Sequence, residues 1–283
     1  MIGVEGLAFA YPGASAPTLS NLTFTVEPGE IYGLLGPSGA GKSTTQRILM
    51  GLLKGFSGKA EIFGEPVASL GRQFYERIGV SFELPAVYLR LTALENLKLF
   101  AGLYGKATRD PMEVLASVDL ADAAHQRVDQ FSKGMKMRLN LCRALLHDPD
   151  LLFLDEPTTG QDPARSRLTR DLILALKDRG KTVFLTTHNM AEAEEICDRV
   201  GFLAGGHIPV TGSPPELMRR FGRRELEVTL AMPAGVEKRS FAMEGIGANA
   251  EFLGLLTAGQ VVSMHTQEAS LDDIFIRATG GGE

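Results

Sequence analysis

The 283-residue chain has no tryptophan and only two cysteines, Cys142 and Cys197. Two thiols this far apart, outside any CxxC spacing, exclude a disulfide-stapled fold and a thiolate zinc cluster, and fit a reducing compartment. Long apolar runs are also missing. The densest, Leu151 to Leu154 and Leu172 to Leu176, fall far short of the roughly 20 residues that cross a bilayer. The stretch from Met1 to Tyr11 carries no Lys or Arg, so it lacks the basic start of a secretory leader. Positive charge is not in excess: 29 basic and 34 acidic residues leave a formal net charge of −5, which recruits no nucleic acid. What remains, with 44% hydrophobic and 22% charged residues, is a globular composition able to bury a core. A cytoplasmic protein is expected, with any membrane role running through a partner chain.

The pattern predicts an α/β fold. Short β-type runs at Leu7 to Tyr11, Leu22 to Val26, Ile31 to Leu35 and Lys59 to Phe63 are separated by Gly and Pro. Leu151 to Leu154 and Thr182 to Thr186 are continuous apolar runs, as in parallel strands covered on both faces. A helix is signalled by Asp162 as N-cap, Pro163 at its first position and Gly180 beyond its end, with Leu168, Leu172, Ala175 and Leu176 as its apolar side. Leu84 to Asp129 reads as mostly helical, within an inserted subdomain of about residues 84–149. Near Gly212 to Pro215 the texture changes, with a Ser-Pro-Pro segment and the cluster Arg219, Arg220, Arg223 and Arg224. Residues 1–212 are therefore expected to form one domain, and 213–283 a linker and a small C-terminal α+β accessory domain. In the latter, Leu226 to Leu230 and Val261 to Met264 read as half-exposed strands and Ser270 to Ala278 as a final helix, with Asp272 and Asp273 in its first turn.

Two motifs carry chemistry. Gly36-Pro37-Ser38-Gly39-Ala40-Gly41-Lys42-Ser43 fits GxxxxGK[ST], lies between a predicted strand and a predicted helix, and is followed by Thr44. Such a loop turns backbone N–H groups onto phosphates, its Lys reaches the β- and γ-phosphates, and its Ser is a magnesium ligand. Leu151 to Leu154 then runs into Asp155 and Glu156, a Walker B arrangement. Asp155 is expected to hold Mg²⁺ through its water shell, and Glu156 to polarise the attacking water as general base.

Phe131-Ser132-Lys133-Gly134-Met135 opens a third helix shortly before the Walker B strand. Here the chain resembles the ATP-binding subunits of ABC transporters, whose signature motif occupies this place. Ser132 caps a helix whose first amides, with Gly134, can bind an anion outside the chain's own phosphate loop, so a second subunit is needed. The resemblance supplies it: two domains meet head to tail, with each ATP between one Walker A and the other signature. It further implies that Asp162 lies in the D-loop, that His188 is the switch histidine at the γ-phosphate, and that Tyr11 stacks on adenine. The implied fold is a P-loop NTPase with a mixed sheet core, an N-terminal antiparallel β subdomain and the inserted helical subdomain.

Implied partners are a second ATPase subunit, as homodimer or heterodimer, and separately encoded integral membrane permease subunits. The chain would then lie peripherally on the inner face of the membrane, its cofactors ATP and Mg²⁺. Glu83 stands where the family usually has Gln, and is expected to face Mg²⁺ or its water. Lys133 and Met135 replace a commoner Gly and Gln, and Gln161 a commoner Leu. The segments Phe82 to Asn96 and Ser270 to Arg277 look like the drug, antibiotic and sodium efflux branch, which implies export. A competing class, soluble ABC-type ATPases acting on ribosomes or DNA, is opposed by a single ATPase module, no long coiled-coil insertion and the acidic charge balance.

Overall fold

A computed structural model describes residues 1–221, 225–232, 235–267 and 269–279, and the chain divides into two units, Met1–Gly212 and Ser213–Glu283. The first unit opens with β1 (Ile2–Phe9) and β2 (Leu19–Val26), whose buried and wetter positions largely alternate, as in a sheet with one wet face. β3 (Ile31–Leu35) is buried at every position. β4 (Ser57–Ile62) and β5 (Glu65–Pro66) complete an antiparallel sheet of order β2-β1-β4-β5. β1 starts well before the predicted Leu7 because Gly3 and Gly6 dilute its alternation. Gly6, at φ 59, sits where the register with β2 shifts between Val4 and Leu7.

β6 (Ile78–Ser81), β7 (Leu151–Asp155), β8 (Thr182–Thr187), β9 (Arg199–Ala204) and β10 (His207–Gly212) join β3 in a six-stranded sheet of order β10-β9-β3-β8-β7-β6. Neighbours are parallel except for β10, which runs antiparallel to β9 at the edge. Phe24 of β2 stacks on Tyr32 of β3 with centroids 5.4 Å apart, and Phe184 of β8 lies 6.0 Å from Tyr32 and 5.8 Å from Phe153 of β7. These rings fasten the antiparallel sheet to the central one. Burial pushes the Tyr32 hydroxyl up to about 12.

The first unit's helices are α1 (Lys42–Leu49), α2 (Arg72–Tyr75), α3 (Ala93–Ala101), α4 (Pro111–Ala116), α5 (Lys133–Leu145), α6 (Pro163–Asp178) and α7 (Met190–Ile196). The segment from Leu84 to Asp129 is less helical than its pattern suggested. Only α3, α4 and the 3₁₀ turns Ala121–Ala123 and Val128–Gln130 interrupt its loops, because Pro85, Gly102, Gly105 and Pro111 break it up. Asp162 does cap α6, accepting from the Ala164 and Arg165 amides. The buried stripe of α6 is Thr169, Ile173 and Leu176, however, while Leu168 and Leu172 are half-buried and Ala175 is exposed. The predicted apolar side shares only Leu176 with this stripe, in part because Thr169 hides its hydroxyl on Gln161 at 2.9 Å.

In the second unit, residues read as a linker form α8 (Pro214–Phe221). β11 (Glu225–Met232), β12 (Gly235–Ala242) and β13 (Val261–Gln267) make an antiparallel sheet of order β12-β11-β13. α9 (Ala250–Thr257) brings Phe252 onto Val228, Leu230 and Phe241. β12 was not anticipated because Glu237, Lys238 and Arg239 mask its pattern, and α9 because its mostly apolar face gives little amphipathic contrast. α10 (Leu271–Ala278) starts with a capping box between Ser270 and Asp273 and packs against α8, with Leu217, Leu271 and Ile274 buried. Arg219 and Arg220 lie in the last turn of α8, and Arg223 and Arg224 lie outside the described residues.

Ile274 is 0% exposed, so Ile274→Ala is expected to cost about 2–4 kcal/mol within the second unit. Hydrogen exchange read by mass spectrometry should show faster exchange confined to residues 214–279, with nucleotide affinity unchanged. Loss of nucleotide binding in this variant would contradict a separate role for residues 213–283.

Candidate functional site

Strand register brings the site together. β3, β8 and β7 are adjacent and parallel, with Leu35 opposite Thr187 and Asp155 opposite Thr186. Their carboxyl ends therefore finish at one level, and the residues that follow each emerge at the same sheet edge, where open α/β sheets bind ligands. A cleft of about 470 Å³ lies there, lined by Tyr11, Thr18, Ser38, Gly39, Gly41, Lys42, Ser43, Thr44, Glu83, Asp155, Glu156 and His188.

The loop between β3 and α1 wraps back on itself. A side chain at Gly36 would put its Cβ 2.3 Å from the Leu203 carbonyl, so only glycine lets the loop pass β9. Gly41 forms the N-cap of α1 at φ 110. That helix start has no side-chain cap and no acidic residue in its first turn, which leaves its amides to an anionic ligand. Lys42 Nζ donates to the carbonyls of Gly36 at 2.6 Å and Pro37 at 3.1 Å, folding the loop over the cleft. Burial lowers the Lys42 pKa, and the carboxylates of Glu156, Asp155 and Glu83 oppose that shift. Ala40, half-buried, spans the turn between these contacts.

The carboxylates are held by hydroxyls and a histidine. Asp155 accepts from Ser43 Oγ at 3.0 Å and from Thr186 Oγ1. Glu156 sits at φ 51, a left-handed conformation that costs a glutamate of order 1–3 kcal/mol. Surrounding bonds hold it there. Its N–H donates to the Thr186 carbonyl at 2.8 Å, and its Oε1 accepts from the His188 N–H at 3.0 Å and meets His188 Nδ1 at 2.7 Å. Its Oε2 accepts from Thr187 Oγ1 at 3.1 Å. A carboxylate only accepts, so it fixes the proton on His188 Nδ1 and leaves Nε2 for a ligand. Glu83 is exposed at the rim, and Tyr11 lies just beyond β1 with its hydroxyl 3.2 Å from Thr44 Oγ1.

Six expected residues are not part of the cleft's lining: Gly36, Pro37 and Ala40 belong to the loop that bounds it, and Ser132, Gly134 and Asp162 lie elsewhere. Ser132 caps α5, accepting from the Met135 amide at 3.2 Å. Gly134 is pressed against the 160–161 backbone: a Cβ there would meet the Gly160 carbonyl at 3.0 Å. Asp162 follows that backbone directly and caps α6. Gln161 braces that loop, its Nε2 donating to the Pro157 carbonyl at 2.8 Å and its Oε1 accepting from Thr169. Its departure from the commoner Leu thereby has a physical reason. Sequence reasoning missed Thr18 at the cleft wall and the hydroxyls of Thr186 and Thr187. Thr18 carries no signal, but the two threonines directly precede His188 on a buried strand, where their hydroxyls needed partners.

A family model described as ABC transporter matches residues 19–159, and one described as the C-terminal domain of a fluoroquinolone efflux ABC transporter matches residues 226–268. A fluoroquinolones export ATP-binding protein of Mycobacterium tuberculosis is 51% identical over 281 residues, covering 99% of this chain and 93% of its own length. A bacitracin transport ATP-binding protein of Bacillus licheniformis is 36% identical, with 95% and 94% covered. Among solved structures, an ATP binding subunit of an ABC transporter matches with a TM-score of 0.74 and 26% identity over 99% of both chains. A dimeric ATP-binding cassette in a post-hydrolysis state, bound to ADP and Pi, matches with a TM-score of 0.68 and 26% identity over 75% of this chain and 98% of that one. The chain belongs to the ATP-binding, ATP-hydrolysing subunits of ABC transporters.

Proposed function

We propose that this chain powers an exporter of small drug-like molecules of the fluoroquinolone type, working as a head-to-tail dimer beneath separately encoded membrane subunits. The division of the site carries the reading: one cleft holds Lys42, Asp155, Glu156 and His188, while Ser132 and Gly134 lie outside it. A signature element outside the chain's own phosphate cleft serves the nucleotide of a second subunit. Identity of 51% to a fluoroquinolones export subunit, running through the C-terminal unit, supports the substrate class. No helix among the described residues is long and apolar enough to cross a membrane, so the path for the exported molecule is assigned to the membrane subunits.

In this reading Tyr11 stacks on adenine, and the amides from Gly36 to Thr44 cradle the phosphates. Lys42 offsets the β- and γ-phosphate charge. Three carboxylates, Glu83, Asp155 and Glu156, line the cleft beside that one lysine, so a polyphosphate enters favourably only with a divalent cation. Ser43, Asp155 and Glu83 are the oxygen donors for Mg²⁺, a set that suits a hard cation. Among the described residues no three His, Cys, Asp or Glu side chains form a metal site of their own, which fits an ion completed by phosphate and water oxygens. When bound, Mg²⁺ offsets the charge that develops on the phosphate oxygens. Glu156 takes a proton from a water whose oxygen bonds to the γ-phosphorus as the bond to the β–γ bridging oxygen breaks, giving ADP and phosphate. His188 Nε2 faces the γ-phosphate while Nδ1 keeps Glu156 in place. Asp162, next in the chain to the Gly160–Gln161 backbone against which Gly134 is pressed, contributes to the dimer contact.

Glu156→Gln should retain ATP binding while turnover falls by about 100-fold or more, and with ATP the protein should elute as a dimer on size exclusion. Hydrolysis at the wild-type rate would remove Glu156 from the base role. Lys42→Ala and Ser132→Arg should both abolish hydrolysis, but only the first should weaken nucleotide binding by the isolated monomer. Equal loss of monomer binding in both would argue against a signature acting in trans. Affinity capture from membranes should recover a polytopic membrane protein, and cells expressing both should lose fluoroquinolone efflux with Glu156→Gln. Capture of ribosomes or DNA instead would favour the soluble class.

A further inference from the structure

A second carboxyl lies behind Glu156 and belongs to none of the motifs. Glu192, on α7, is 2% exposed. Its Oε2 is 3.2 Å from Thr187 Oγ1, the same hydroxyl that lies 3.1 Å from Glu156 Oε2. Its Oε1 has no hydrogen-bond partner.

Proton counting decides how this contact is made. A threonine hydroxyl has one proton and two lone pairs. Thr187 Oγ1 already accepts from the Asn189 N–H at 3.0 Å. It cannot donate to two carboxylates, and an ionised carboxylate facing its lone pair would repel it. The bonds close without conflict if Thr187 donates to Glu156 and Glu192 carries a proton and donates to Thr187. Burial favours that assignment. Glu156 is tied to His188 and reaches the cleft, whereas the one hydrogen bond of the Glu192 carboxyl among the described residues is to the neutral Thr187 hydroxyl.

We propose that Glu192 is a protonated positioning residue of the ATPase site: through Thr187 it directs a hydroxyl proton onto Glu156 Oε2 and so keeps the general base aimed. The inference rests on Glu156 being that base. Burial raises the Glu192 pKa and Glu156 adds to the shift, while the Thr158 and Thr187 hydroxyls and Arg170 oppose it. Arg170 is itself ion-paired with Glu195 at 2.8 Å. The Cys197 thiol is pushed up by burial, and Glu192 adds to that shift.

Infrared difference spectroscopy of the full chain at neutral pH should show a protonated-carboxyl band that persists in Glu156→Gln and vanishes in Glu192→Gln. Steady-state hydrolysis provides the second readout. The Gln amide still donates, so Glu192→Gln should keep kcat within about threefold, whereas Glu192→Leu should lower kcat about 10-fold with nucleotide affinity unchanged. Thr187→Val should match Glu192→Leu, the double variant should be no worse than either, and Thr187→Ser should restore activity. A missing band in wild type, or equal loss of kcat in Glu192→Gln and Glu192→Leu, would overturn the proposal. The band reports the proton on Glu192 whether or not Glu156 is the general base, so the failure of either assignment can be told from that of the other.

Discussion

The parallel pairing of β3, β8 and β7 is the constraint from which the site follows. Because Leu35, Thr187 and Asp155 end their strands at one level, the phosphate loop, the acidic pair and His188 are delivered to one edge without any long connection. The aromatic stack of Phe24, Tyr32, Phe184 and Phe153 keeps those strands in place by tying the central sheet to the antiparallel one. Slippage by one residue would turn Asp155 away from Ser43 and Thr186, since side chains alternate along a strand.

The second theme is how negative charge is kept near a site that must receive more of it. Asp155 and Glu156 are 5% and 7% exposed, and each survives burial through hydroxyl or histidine donors rather than through a permanent ion pair. Lys42 rests on loop carbonyls instead of pairing with them. A lysine and carboxylates that are close but unpaired can be redistributed around an incoming phosphate and cation without first breaking a strong salt bridge.

Much of this was legible in the sequence because chemistry there demands particular residue types at fixed spacing. The loop from Gly36 to Ser43, the Asp155–Glu156 pair and the Asp162 cap each stand where the residues indicated. What was illegible came from polar groups acting inside the fold. Thr169 occupies a buried stripe that apolar counting assigns to Leu168 and Leu172, and the charged residues of β12 conceal a strand. The pairing of Thr187 with both Glu156 and Glu192 joins residues from three elements, so spacing alone carries no trace of it.

The left-handed backbone at Glu156 also bears on what else could occupy that turn. At φ 51 a glycine would relax the backbone, but it would also leave the His188 N–H and the Thr187 hydroxyl without the carboxylate they donate to, so strain and hydrogen bonding are set against each other at this one position. The same carboxylate that strains the turn also anchors His188, so loosening the one would release the other.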